Sequence, residues 1–199
     1  MELIKTDEFN IIYKDMLAQF PKSELKSYEK FLKLFGENYI LYKVVDGEFA
    51  GYIILFEYGD FIFIDYIAVL KQFHSKGLGR KILSLLKDIY PEKKGCFLEV
   101  EPPDISNPDT IRRINFYTKN GAQKLDVNYL YPNEQGCIPL DLYYIKYKDL
   151  PSDEDIRVFI TELFKQVHGD LAHSMEVWQK IFWLHSFPVI LLPEKPQHP

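Results

Sequence analysis

Residues 61–101 constrain the fold of this chain more than any other stretch. FIFIDYIAVL (Phe61–Leu70) is apolar on both faces, as a central strand must be. QFHSKGLGRK follows, with Gly77 and Gly79 set among basic residues. Ile82, Leu85, Leu86 and Ile89 then fall at i, i+3, i+4 and i+7, an amphipathic helix that Pro91 stops. CFLEVE reads as the next strand. A strand, a helical crossover and a second strand set two parallel neighbours side by side.

The flanking segments complete a sheet. YILYKVV and FAGYIILFEY surround Asp46-Gly47, a hairpin signal, and Gly59-Asp60 marks another turn. Strands near 39–45, 49–57 and 61–70 therefore form an antiparallel meander. Thr6–Phe20 carries Phe9, Ile12, Met16 and Phe20 at helical spacing before Pro21. Ser23 can cap a second helix holding Leu25, Tyr28, Leu32 and Phe35. Asn107-Pro108-Asp109 starts a helix that Asn120-Gly121 ends. AQKLDVNYLY and IPLDLYYIKY read as two long strands. The expected class is α/β (α+β): a mixed, mostly antiparallel sheet of six to seven strands flanked by helices.

A boundary near Asp149–Ser152 divides a domain over 1–148 from a C-terminal helical extension and tail over 150–199. Ser152 and Asp155 have capping-box spacing, and Ile156, Phe159, Ile160, Leu163, Phe164 and Val167 make an apolar stripe. A second helix is expected over roughly 171–185. The stripe packs on the domain or on a second copy, the latter implying a homodimer. A lid over an acceptor site is the sharper alternative.

Composition narrows the class of function. The 199 residues are 47% hydrophobic and 16% aromatic, enough for a sizeable core. A net charge of −5 argues against nucleic acid as partner. The start, MELIKTDEFN, lacks the features of a secretory signal, and no apolar run reaches the ~18 residues of a membrane span. Cys96 and Cys137 lack metal-ligand spacing and read as free cytoplasmic thiols; no metal is expected.

The chemistry centres on the glycines. Gly77 and Gly79 let the backbone approach a ligand at a strand-to-helix junction. First-turn N–H groups, the helix dipole and the charges of Lys76, Arg80 and Lys81 together favour an anion of the phosphate kind. A Walker A loop and a dinucleotide loop both fail on spacing, since Ile82 stands where a third glycine would be needed.

IDYIAVLKQFHSKGLGRKIL resembles the acetyl-CoA-binding segment of the GCN5-related N-acetyltransferase superfamily, with His74 where Arg or Gln is usual. RRINFYTKNGA (Arg113–Ala122) is similar to a second segment of that family, with Ala122 in place of Phe and Thr110 at a position often held by Asn. The resemblance covers roughly residues 1–148. It implies a fold in which the strands before and after the glycine helix splay, so that the pantetheine arm of acetyl-CoA inserts between them. Ile67, Ala68 and Val69 would then offer backbone groups. His74, Ser75, Lys76, Gly77, Leu78, Gly79 and Arg80 would hold the pyrophosphate, and Thr110 and Tyr117 would contact the same co-substrate.

The implied activity is acetyl transfer to a primary amine. The amine must lose a proton, and the departing thiolate should gain one. Tyr117 matches the family's leaving-group tyrosine, although i, i+3 spacing with Ile114 also fits a core position. Asp65 is the base candidate: alternation puts it on one face with Phe63, Ile67 and Val69. Glu99, Glu101 and a water relay are alternatives, and a buried ion pair is the plain reading of Asp65. The acceptor would lie between the first two helices and the last hairpin, near Phe31, Phe35, Tyr129, Tyr131, Tyr143 and Tyr144. A non-catalytic acyl-CoA-binding or protein-interaction module on the same fold is the competing function.

Overall fold

The computed structural model describes residues 1–22, 24–133, 136–169 and 174–183. β2 (Tyr39–Asp46), β3 (Glu48–Tyr58) and β4 (Phe61–Val69) form the expected meander, turning at Gly47 and Gly59 with φ of 81° and 54°. β5 (Gly95–Val100) runs parallel to β4, as the crossover helix α3 (Leu78–Ile89) requires. The full order is β1-β2-β3-β4-β5-β9-β6. β1 (Glu2–Lys5), which the sequence reading lacks, is a short, largely exposed edge strand with no apolar alternation to announce it.

The C-terminal strands differ from expectation. Each long strand breaks in two: β6 (Ala122–Lys124) and β7 (Leu130–Asn133), then β8 (Gly136–Pro139) and β9 (Asp141–Lys146). β9 inserts between β5 and β6, while β7 and β8 pair with each other as a separate ribbon. Pro139, at the end of β8, has no N–H for a continued ladder, so the second strand breaks there.

The helices α1 (Phe9–Gln19), α2 (Tyr28–Leu34), α4 (Pro108–Lys119), α5 (Asp153–Gln166) and α6 (Ser174–Trp183) cover the sheet. Ser27, not Ser23, caps α2, accepting from the Lys30 N–H; Ser23 lies outside the described residues. Asn107 caps α4, and Ser152 and Asp155 form a complete capping box on α5. Phe159 of α5 stacks on Phe97 with centroids 4.6 Å apart and also meets Phe56 and Phe61. The extension thus shares the core of residues 1–148.

One irregularity in β4 changes the reading of its faces. Ile64 pairs with Leu55 and Tyr66 with Ile54, so Asp65 is an extra residue in the strand. Phe63 opposes Phe56 whereas Ile67 opposes Ile53, which lie on opposite faces of β3. Simple alternation across Asp65 therefore fails. Tyr66 turns to the face of Phe56, where Phe20 and Phe31 pack against its ring. Among the described residues, no helix is long and apolar enough to cross a membrane.

Candidate active site

Pairing between β4 and β5 stops at Ile64 and Leu98. Beyond it the strands part, and two adjoining cavities fill the space. The larger, about 640 Å³, is walled by Ile67, Ala68 and Val69 of β4, by His74, Ser75, Gly77, Leu78, Gly79 and Arg80, and by α4. The smaller, about 220 Å³, holds Asp65, Glu99, Glu101, Glu24 and Tyr131. Gln19, Ile67, Arg113 and Tyr117 line both.

The floor of the larger cavity is built for an anion. Ser75 and Gly77 both adopt left-handed φ, 62° and 76°, bending the backbone into a concavity. The first helical bond is from the Lys81 N–H to the Gly77 carbonyl, and no side chain caps the turn. The amides of Leu78, Gly79 and Arg80 thus carry no hydrogen bond among the described residues. A Cβ on Gly79 would stand 3.0 Å from Phe116 Cζ, so glycine here lets α3 and α4 approach without displacing that ring.

Two expected contacts fall elsewhere, and a third side chain lines the cavity but is turned from it. Lys76 lies off the cavity wall, its ammonium 4.9 Å from the Phe73 ring centroid. Thr110 is buried beside Asp104: its hydroxyl accepts from the Asp104 N–H and donates to the Asn107 carbonyl, so it steadies the start of α4 and does not reach the cavity. His74 lines the cavity but points back, its Nε2 2.9 Å from the Val69 carbonyl. A carbonyl only accepts, so Nε2 carries the proton. Gln19 Nε2 approaches the same oxygen at 3.4 Å. Sequence reading missed Gln19; its position at the end of α1, just before Pro21, was the available signal.

Asp65 is an ion pair. Lys26 Nζ lies 2.7 and 2.9 Å from its two oxygens, Tyr39 also donates to it, and both charged side chains are only 3% exposed. Lys26 is 39 residues away in the chain, which no local pattern could reveal. Glu101 pairs with Arg113. Glu99 has a hydrogen bond from the Tyr129 hydroxyl and no ion-pair partner within 4.0 Å among the described residues, and burial pushes its carboxyl up to about 8. Tyr117 is 8% exposed, makes no hydrogen bond among the described residues, and is pushed up to about 12 by burial. Of the six aromatic residues expected at the acceptor, Tyr131 lines the cavity; Phe31, Tyr129, Tyr143 and Tyr144 are buried in the core and Phe35 packs at its edge.

Comparison with known proteins agrees with this geometry. The family model described as Acetyltransferase (GNAT) family matches residues 7–122. YjbC of Bacillus subtilis (strain 168), an acetyltransferase by name, is 35% identical over 108 residues, 54% of each chain. The present chain thus spans about half the length of that curated relative. A GNAT-family acetyltransferase structure from Bacteroides thetaiotaomicron superposes with a TM-score of 0.70 at 20% identity, covering 85% of this chain and 99% of that one. A Bacillus subtilis acetyltransferase in complex with CoA gives 0.53 at 17% identity, covering 73% and 99%.

Proposed function

Since this chain belongs to the GNAT acetyltransferase family, we propose that it moves an acetyl group from acetyl-CoA directly to the nitrogen of a primary amine. The observation that carries this is the meeting of the two cavities at Tyr117, with the buried Glu99 carboxyl on the far side. The larger cavity takes the co-substrate, its diphosphate on the amides of Leu78, Gly79 and Arg80 and its pantetheine arm between β4 and β5. Bound there, acetyl-CoA supplies an activated acyl group beside Tyr117.

Glu99 takes a proton from the incoming ammonium, leaving a nitrogen lone pair free to attack. A C–N bond forms, the C–S bond breaks, and the nitrogen's second proton passes through solvent to the departing thiolate as the amide is completed. Tyr117 holds its proton throughout, because about 12 lies well above an ordinary thiol near ~8.5. Its role is therefore a hydrogen bond to the leaving sulfur, a weaker form of acid assistance than full transfer. Asp65, already neutralised by Lys26, serves to fix the cavity wall.

Turnover of acetyl-CoA against a panel of amines tests the reading. Tyr117→Phe should lower kcat about 100-fold, the lower end of acid–base contributions, with coenzyme A affinity kept within about threefold. Full activity in that variant removes Tyr117 from the chemistry. Tight coenzyme A binding without turnover of any amine favours the non-catalytic module instead.

A further inference from the structure

The smaller cavity has more carboxyl groups than cations to match them. Four acidic side chains line it, those of Glu24, Asp65, Glu99 and Glu101. Lys26 matches Asp65 and Arg113 matches Glu101. Glu24 and Glu99 have no ion-pair partner within 4.0 Å among the described residues, although the Arg113 charge is felt at Glu24. Two carboxyls without a paired cation are thus left facing one small space.

The wall also shows how it treats an alkylammonium. The Lys26 ammonium sits between the Asp65 carboxylate and the Tyr66 ring, 5.0 Å from its centroid. The rest of the cavity offers the same kinds of group: Glu24 and Glu99 line it together with Phe20 and Tyr131. Its volume, about 220 Å³, is that of about seven waters and falls below the ~300–1,000 Å³ of sites for drug-sized ligands. A short unbranched amine suits it; an oligosaccharide or a folded protein terminus does not.

We infer that the acceptor is a short linear diamine, with one ammonium delivered to Glu99 and the other held by Glu24. This rests on the acetyl-transfer reading of the same cavity. The reaction acetylates one nitrogen and leaves the second cationic, so the product keeps one of the two charges and binds more weakly than the substrate.

The test is calorimetric titration of 1,5-diaminopentane and 5-amino-1-pentanol into the full chain with coenzyme A present. The two probes match in length and differ in one charge. The diamine should bind about tenfold more tightly, as expected for one charge-assisted contact. Glu24→Gln should bring the two within about twofold, and Glu24→Asp should keep part of the preference. Matching melting curves establish that both variants are folded. Equal affinities in the wild-type protein, or a preference that survives Glu24→Gln, overturns the assignment. Acetylation of both probes is followed in parallel. Equal kcat/KM for the two defeats the diamine assignment and leaves acetyl transfer standing. Selective diamine binding with no acetylation does the reverse.

Discussion

Replacing Glu99 with Gln removes the one titrating group in the smaller cavity whose carboxyl is raised to about 8. Desolvation by burial is the main cause, opposed by the hydrogen bond from Tyr129, with the Asp65 charge raising it further and Lys26 lowering it. A base with that value is about one tenth ionised at pH 7, half at pH 8 and about nine tenths at pH 9. Base-dependent kcat/KM should therefore climb about tenfold from pH 7 to 9. The assay is coenzyme A release over pH 6–10, with each wild-type rate divided by that of Glu99→Gln. Division cancels the ionisation of the amine, which is common to both. The ratio should follow one titration curve with its midpoint near 8, and Glu99→Gln should lower kcat/KM about 10²–10⁴-fold. Tyr129→Phe takes away a bond to the ionised form, so its midpoint should move upward. A flat ratio, or a Glu99→Gln enzyme within threefold of wild type, refutes the base assignment.

The same group bears on stability. Folding raises this carboxyl above its ordinary 4.5, so its contribution is complete below about 4.5 and is lost as pH rises through about 8. The shift sets a ceiling of about 5 kcal/mol; opening onto a cavity reduces it to about 2 kcal/mol. Glu99→Gln stays neutral, so at pH 9 it should melt about 5 °C above the wild type, with the gap closing by pH 5.

Three further outcomes follow from the geometry. Gly79→Ala forces the Phe116 ring aside by a few tenths of an ångström and should weaken coenzyme A about fivefold in calorimetry; unchanged affinity counts against the close approach there. Lys26→Met leaves a buried carboxylate without its cation, a loss of about 3–5 kcal/mol, so the urea midpoint should fall by about 2 M; a drop under about 0.5 M refutes the role given to the pair. Truncation after Leu150 strips the sheet of the buried Phe159, Ile160, Leu163 and Phe164. At about 2 kcal/mol each that rivals the whole stability of a domain, so the remainder should lack a cooperative melt, and a sharp one would show the extension to be dispensable.

Local patterns carried the backbone of the site because backbone groups do its work. Gly77 and Gly79, a preceding strand and a following helix suffice to bare three amides, and no distant partner is needed. The same applies to the caps at Asn107 and Ser152, where both partners lie within three residues. The helix stripe of α3 was legible too, though its buried side is centred on Ile82, Leu83 and Leu86, with Ile89 exposed. Side-chain roles were less legible. Thr110 and His74 sit at motif positions yet spend their polar atoms on Asp104, Asn107 and Val69.

By itself the amino-acid order determined the strand–loop–helix–strand unit, the parallel pair and the anion-binding turn, because periodicity and glycine act over a few neighbouring residues. Only the folded chain decided which carboxylate stays free. An extra residue in β4 turned Asp65 towards Lys26, while β9 and the segment leading into β7 buried Glu99 under Tyr129. Proton affinity depends on burial and on charges within a few ångströms, and here those come from segments about 30 and 39 residues distant in the chain.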